Sequence, residues 1–148
     1  MVIEWKAAHF DMLTNVELYN ILKLRSQVFV VEQNCVFLDA DGKDEAAVHL
    51  MGFNDASLLA YARVIPAGII YEEVSIGRVV TDFSTRGSGL GKMLMEEAIY
   101  LSNTLFGKVP IKIGAQHHLQ NFYGSLGFVA IGEKYLEDDI WHIHMLLS

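Results

Sequence analysis

The run Arg86-Gly87-Ser88-Gly89-Leu90-Gly91 is the part of this sequence best suited to chemistry. It lies between a β-branched stretch and an amphipathic one, so it reads as a turn from a strand into a helix. Glycine there lets the backbone approach a ligand closely. It also turns several N–H groups toward one point, at the positive end of a helix dipole. The natural ligand of such a cradle is a pyrophosphate. Two familiar nucleotide motifs do not fit. A phosphate loop needs glycine at position 86 and Ser or Thr at 93, where Arg86 and Met93 stand. A dinucleotide fingerprint needs glycine at position 92, where Lys92 stands. A plain turn joining strand to helix remains the alternative.

Other reactive side chains are scattered. Asp39, Asp41 and Asp44 share one acidic segment, but a calcium loop would need glycine where Asp44 stands. His142 and His144 alternate on one strand face, a pair without a third ligand. His117 and His118 are adjacent on a helix and cannot share a face. Cys35, the sole cysteine, has no basic partner at a readable spacing and reads as an inert buried thiol. No metal is expected.

Pattern places these residues on elements. Thr14 and Glu17 fit a capping box, and Leu18, Ile21, Leu22 and Val28 follow it at helical spacing, with Arg25 near the same face. The segment from Gln33 to Glu45 is a polar loop. Strands from Ala47 to Phe53 and from Ser57 to Ile65 flank the turn residues Asn54-Asp55. A third strand runs from Glu73 to Thr81. A helix from Leu90 to Phe106 carries the stripe Leu90, Leu94, Ala98, Leu101 and Leu105. A buried strand, Val109 to Gly114, precedes a short helix, Gln116 to Leu126, ended by Gly127. Strands from Phe128 to Tyr135 and from Ile140 to Leu147 close the chain. The order predicts a mixed α/β domain, not a regular βαβ repeat.

Composition bounds the answer. With 148 residues, 52% hydrophobic and 20% charged, the chain reads as one folded domain. Its net charge of −7 leaves no basic face for general nucleic-acid binding. No apolar run approaches the roughly 18 residues of a membrane helix, and no basic-then-apolar leader opens the sequence. A cytoplasmic protein without a membrane partner is the expectation.

The glycine turn also has the form Arg-x-x-Gly-x-Gly, at Arg86, Gly89 and Gly91. Phe122-Tyr123-Gly124-Ser125-Leu126-Gly127-Phe128 supplies a second pattern, Tyr-x-x-x-Gly-Phe. In this order and context the two resemble the acetyl-CoA-binding motifs of the GNAT superfamily of N-acetyltransferases. The likeness extends to its ElaA-like branch through Arg25 to Cys35, Asp41 to Glu45, His49, Ile76 to Val79, Ala115-Gln116 and Tyr135 to Asp138 with His142. Two departures are Asp139, where the branch has glycine, and Gln116, where many members have asparagine.

The resemblance implies a GNAT fold, a central mixed sheet flanked by helices, in a single domain over residues 1–148. It implies acetyl-CoA as co-substrate and an amine, small or protein-borne, as acceptor. The pyrophosphate would lie on Arg86, Gly87, Ser88, Gly89, Leu90 and Gly91. The pantetheine arm would follow Arg78, Val79 and Val80, with Gln116, Phe122 and Tyr123 as further contacts. Tyr123 would protonate the leaving thiolate, unless it is simply a core tyrosine with a satisfied hydroxyl. Glu32 and His49 are the candidate bases. Arg25, Arg63 and Arg78 could hold a substrate carboxylate, or form structural ion pairs. A homodimer fits the superfamily's habits. A non-catalytic acyl-CoA sensor and an acyl-homoserine-lactone synthase are the competing readings.

Overall fold

The computed structural model describes all 148 residues. Seven strands form one sheet: β1 (Glu4–His9), β2 (Val48–Asn54), β3 (Ser57–Ile65), β4 (Val74–Thr81), β5 (Ile111–Gln116), β6 (Val129–Glu137) and β7 (Ile140–Leu147). Their order across the sheet is β1-β2-β3-β4-β5-β7-β6. All neighbours are antiparallel except β4 and β5. The three α-helices are α1 (Asn15–Arg25), α2 (Leu90–Phe106) and α3 (Gln120–Ser125). The mixed α/β fold expected from the sequence is the fold observed.

Alternation along β3 decides which helix covers which face. Ala60, Ala62 and Val64 meet Leu90, Leu94, Met95 and Ala98 of α2. Tyr61 points the other way, toward Ile21, Leu24 and Val28 at the first helix. Each of the valine, leucine, isoleucine and methionine side chains among these contributes roughly 1.5–3 kcal/mol by leaving water. Thr14 starts α1 as expected: its hydroxyl accepts from the Glu17 N–H at 3.0 Å, and Glu17 accepts from the Thr14 N–H at 2.9 Å.

Three local departures from the sequence reading matter. First, β1 is an edge strand that the pattern does not announce. Its only inward ring, Trp5, lies where a Cβ on Gly52 would come within 2.7 Å, so glycine is required there. Second, the helix expected to continue through Val28 does so in a wider form, a π-helical segment over Ser26–Glu32. There the N–H of Gln33 reaches the carbonyl of Val28, and that of Cys35 reaches Val30. Third, the expected helix from Gln116 is shorter. Gln116 ends β5, a tight turn covers His117–Leu119, and α3 follows.

Candidate functional site

The site begins as a failure of strand pairing. β4 and β5 are bonded in register only at Val74–Ile111 and Ser75–Lys112. Beyond these pairs both strands continue, to Thr81 and Gln116, without each other. The gap is a cleft of about 840 Å³. Ile76 through Thr81 form one wall, and Ile113, Gly114 and Gln116 the other. That volume lies within the usual range for small-molecule and cofactor sites.

A bulge sharpens the wedge. On β3, Tyr61 pairs with Val80 and Arg63 with Gly77, so Arg78 and Val79 together span what Ala62 spans alone. Arg78 takes φ of +50°, a left-handed conformation that a non-glycine residue holds only when its surroundings impose it. The imposing contacts are visible. Arg78 Nε donates to Asp39 Oδ1 at 2.9 Å, Nη2 donates to the Asp39 carbonyl at 3.0 Å, and the guanidinium lies 5.5 Å from the Phe37 ring.

The glycine turn stands at one end of this cleft. Gly87 and Gly89 both have φ of +82°, with open space where a side chain would be. Gly89 caps α2, and the Met93 N–H makes the first helical bond, to the Gly89 carbonyl. The N–H groups of Leu90, Gly91 and Lys92 therefore have no partner within the helix. Ser88 departs from the sequence reading: its N–H and hydroxyl both bond the Thr85 carbonyl, and it does not line the cleft. Arg86 does line it, paired through Nη1 with Glu32 Oε2 at 2.6 Å.

Tyr123 and Phe122 reach the cleft from α3. Tyr123 is nearly buried, with its ring against Phe122 and Phe128. Burial alone pushes its phenol up to about 12. Gln116 lines the cleft and donates to Gln33 Oε1 at 3.3 Å.

Three expected site residues lie elsewhere. Arg25 and Arg63 are sealed beneath the loop that follows the π-helical segment, and neither lines the cleft. Arg25 Nε bonds Asp39 at 2.9 Å and Nη1 bonds Asp44 at 2.7 Å. Arg63 Nη2 bonds Asp41 at 2.6 Å, and Nη1 bonds Asp44 at 2.9 Å. The Arg25 donors and both Arg63 Nη groups are spent on aspartates, and the remaining Arg63 Nε is buried away from the cleft, so no fork is offered to a substrate carboxylate. Arg78 borders the cleft, but its Asp39 contacts make it part of the same network. Burial opposes ionisation of Asp41 and Asp44. Hydrogen bonds and charges from the arginines outweigh it and hold both carboxyls below their usual range.

His49 is the third. It is fully buried, with Nδ1 2.6 Å from the Tyr61 hydroxyl and Nε2 2.8 Å from the Asp44 carbonyl. Burial, helped by the charges of Arg25 and Arg63, lowers its pKa against the pull of Asp44. Both nitrogens are engaged away from the cleft, so His49 is not placed to accept a substrate proton. Glu32 does line the cleft, held by Arg86.

The far end of the cleft holds residues outside the expected set. Phe37 and Leu38 come from the loop, and Glu137, Asp138, Ile140 and His142 from the β6–β7 hairpin. Cys35 ties the two segments together, its thiol donating to the Asp138 carbonyl at 3.2 Å. The strand pattern pairs His142 with His144, and both rings stack on Tyr135, but only His142 lines the cleft. His144 stacks on Tyr135 at 4.5 Å and meets the edge of Tyr71 at 5.5 Å.

The fold that carries this split and glycine turn superposes closely on solved relatives. The structure of an acyl-CoA N-acyltransferase from Pseudomonas aeruginosa superposes with a TM-score of 0.95. It is 45% identical and covers 99% of this chain and 100% of its own. Escherichia coli ElaA superposes at 0.93, with 40% identity over 99% of this chain and 100% of its own. By sequence, Protein ElaA of E. coli K12 is 42% identical over 97% of this chain and 95% of its own length. A CoA-dependent acyl-homoserine lactone synthase shares the fold alone, at 17% identity and a TM-score of 0.77, covering 97% of this chain and 81% of its own. The acetyltransferase (GNAT) domain model matches residues 28–148. The chain belongs to the GNAT acetyltransferase family, in its ElaA-like branch.

Proposed function

We propose that the protein transfers an acetyl group from acetyl-CoA to a primary amine, with both bound at once and the amine attacking the thioester directly. The observation that supports this most is the wedge between β4 and β5, open along its length and ended by the glycine turn. Its residues fit an extended acyl-CoA. Free N–H groups at Leu90, Gly91 and Lys92 suit a pyrophosphate. The edge of β4 beyond Ser75 lacks a strand partner and suits the amide groups of a pantetheine arm.

The chain's own residues then divide the work. A backbone N–H at Val79 or Val80, in or beside the bulge, polarises the thioester carbonyl. Tyr123, a neutral phenol at physiological pH, gives its proton to the departing thiolate. Burial that raises the phenol also raises the basicity of a thiolate expelled beside it, which keeps that transfer near balance. Glu137 and Asp138 at the far end of the cleft, in a chain of net charge −7, favour a cationic acceptor.

Isothermal titration of acetyl-CoA into wild type and Gly89→Trp tests the site. A side chain at φ of +82° is strained and stands over the N–H cradle. Binding to wild type with at least tenfold weaker binding to the variant is expected. Thiol release with a panel of primary amines then tests transfer. Binding without thiol release from any amine would make the domain a sensor and overturn the enzyme reading.

A further inference from the structure

We infer that His142 is the general base that takes the proton from the acceptor ammonium group, an assignment that rests on the acetyl-transfer reading above. The argument starts from tautomer. His142 Nδ1 lies 2.8 Å from the carbonyl oxygen of Ile140. A carbonyl can only accept, so Nδ1 carries the proton. In the neutral ring, Nε2 then holds the lone pair.

The second step is access. His142 is 8% exposed and lines the cleft, and its Nε2 has no hydrogen bond within the protein. Its nearest acid, Glu137 Oε2, is 3.6 Å away, too far for a hydrogen bond and close enough to stabilise an imidazolium.

The surroundings hold the ring in place. On β6, Tyr135 stacks on it at 5.8 Å. On β5, Gln116 is its register partner, and Gln116 is itself bonded to Gln33. The charged and titratable groups facing it are Glu137 and Tyr135 from β6, Asp138 from the hairpin turn, and His144 two residues along β7. Of the two bases expected from the sequence, His49 lies outside the cleft and Glu32, which lines it, is already paired with Arg86 at 2.6 Å.

The proton balance closes. An ammonium group gives one proton to Nε2 and becomes a nucleophilic amine. The C–N bond forms at the thioester carbonyl, and the C–S bond breaks. The thiolate takes the phenolic proton of Tyr123, and the second proton lost by nitrogen restores that phenol. Imidazolium returns its proton to water, so the net release is one proton per amide formed.

The test compares wild type with His142→Gln across pH, using thiol release with whichever primary amine the panel shows is acetylated. The expected result is a 10²- to 10⁴-fold lower kcat/KM. Acetyl-CoA binding should be unchanged, and the fall in rate toward low pH should disappear. A variant that keeps this low-pH fall, or turns over within about twofold of wild type, would overturn the assignment while leaving acetyl transfer intact. A wild type inert toward every amine would sink the transferase reading and the base with it. Nitrogen-15 spectra of labelled histidines give a check that needs no turnover. They should show His142 protonated on Nδ1, and protonation on Nε2 alone would refute the proposal.

Discussion

Both faces of the central sheet are covered, one by an apolar layer alone and the other by a smaller apolar cluster beside a charged network. Against α2, Ala60, Ala62 and Val64 meet Leu90, Leu94, Met95 and Ala98 in an apolar layer. On the α1 face, Arg25, Arg63 and Arg78 interlock with Asp39, Asp41 and Asp44, and His49 and Tyr61 lie buried beside them. The difference follows from what each face must hold. A helix offers a continuous apolar stripe. The segment between the π-helical turn and β2 is mostly irregular and acidic, so it is fixed by directed bonds instead. Paired buried charges of this kind contribute little net stability over apolar packing, yet breaking one partner is costly. What they supply here is position. They pin Arg78 in its bulge and set Phe37 and Leu38 along the cleft.

The largest contrast should come from Arg25→Met, which takes one of two arginine partners from each of Asp39 and Asp44 and should lower stability at pH 7 by about 3 kcal/mol in urea denaturation. That penalty should shrink at low pH, as carboxyls left with fewer partners take up protons. Leu94→Ala on the apolar face should cost about 3 kcal/mol and show no such pH dependence. Equal pH behaviour of the two variants would erase the distinction between the faces.

Tyr123→Phe sharpens the comparison differently. The hydroxyl contributes no protein hydrogen bond, so thermal stability should stay within about 0.5 kcal/mol of wild type, while kcat for thiol release should fall about 100-fold, near 2.7 kcal/mol. Full retention of kcat would remove the acid role.

The pH dependence of stability is the next smaller effect. His49 has a lowered pKa in the fold, so the unfolded chain takes up its proton first as pH falls. Its contribution is complete above about 6.5 and declines below that value. Asp41 and Asp44 act alike at lower pH, their contribution complete above about 4 and lost as pH falls further. Urea titrations between pH 7 and 4.5 should therefore show a decline that His49→Gln flattens. The smallest change is Thr14→Ala, which removes an exposed cap at a cost of about 1 kcal/mol by thermal melt, independent of both faces.

Much of the scaffold was legible because its signals are local. The capping box at Thr14, the β2–β3 hairpin, the stripe of α2 and the turn at Gly127 each depend on neighbours in sequence. Strand β1 was not legible, because an edge strand with one inward ring carries almost no alternation. The end of α1 was obscured because a π-helical segment keeps helical residue types while changing the hydrogen-bond step. Among site residues, the glycine turn and Tyr123 were readable from motif spacing. The fate of the three arginines was not. Their partners stand 14 to 39 residues away along the chain, and no pattern announces pairs at such distances.

The sequence by itself determined the family, the order of elements after β1 and the glycine turn at Gly87, Gly89 and Gly91, since each is written in short runs of residue types. Only the tertiary structure decided which charged groups face the cleft. Arg25, Arg63 and His49 are sealed among partners, while Glu137, Asp138 and His142 are delivered to the cleft by a hairpin from the far end of the chain. The reason is physical. Burial and the engagement of a lone pair depend on what packs against a side chain, and that is settled by strand order and register.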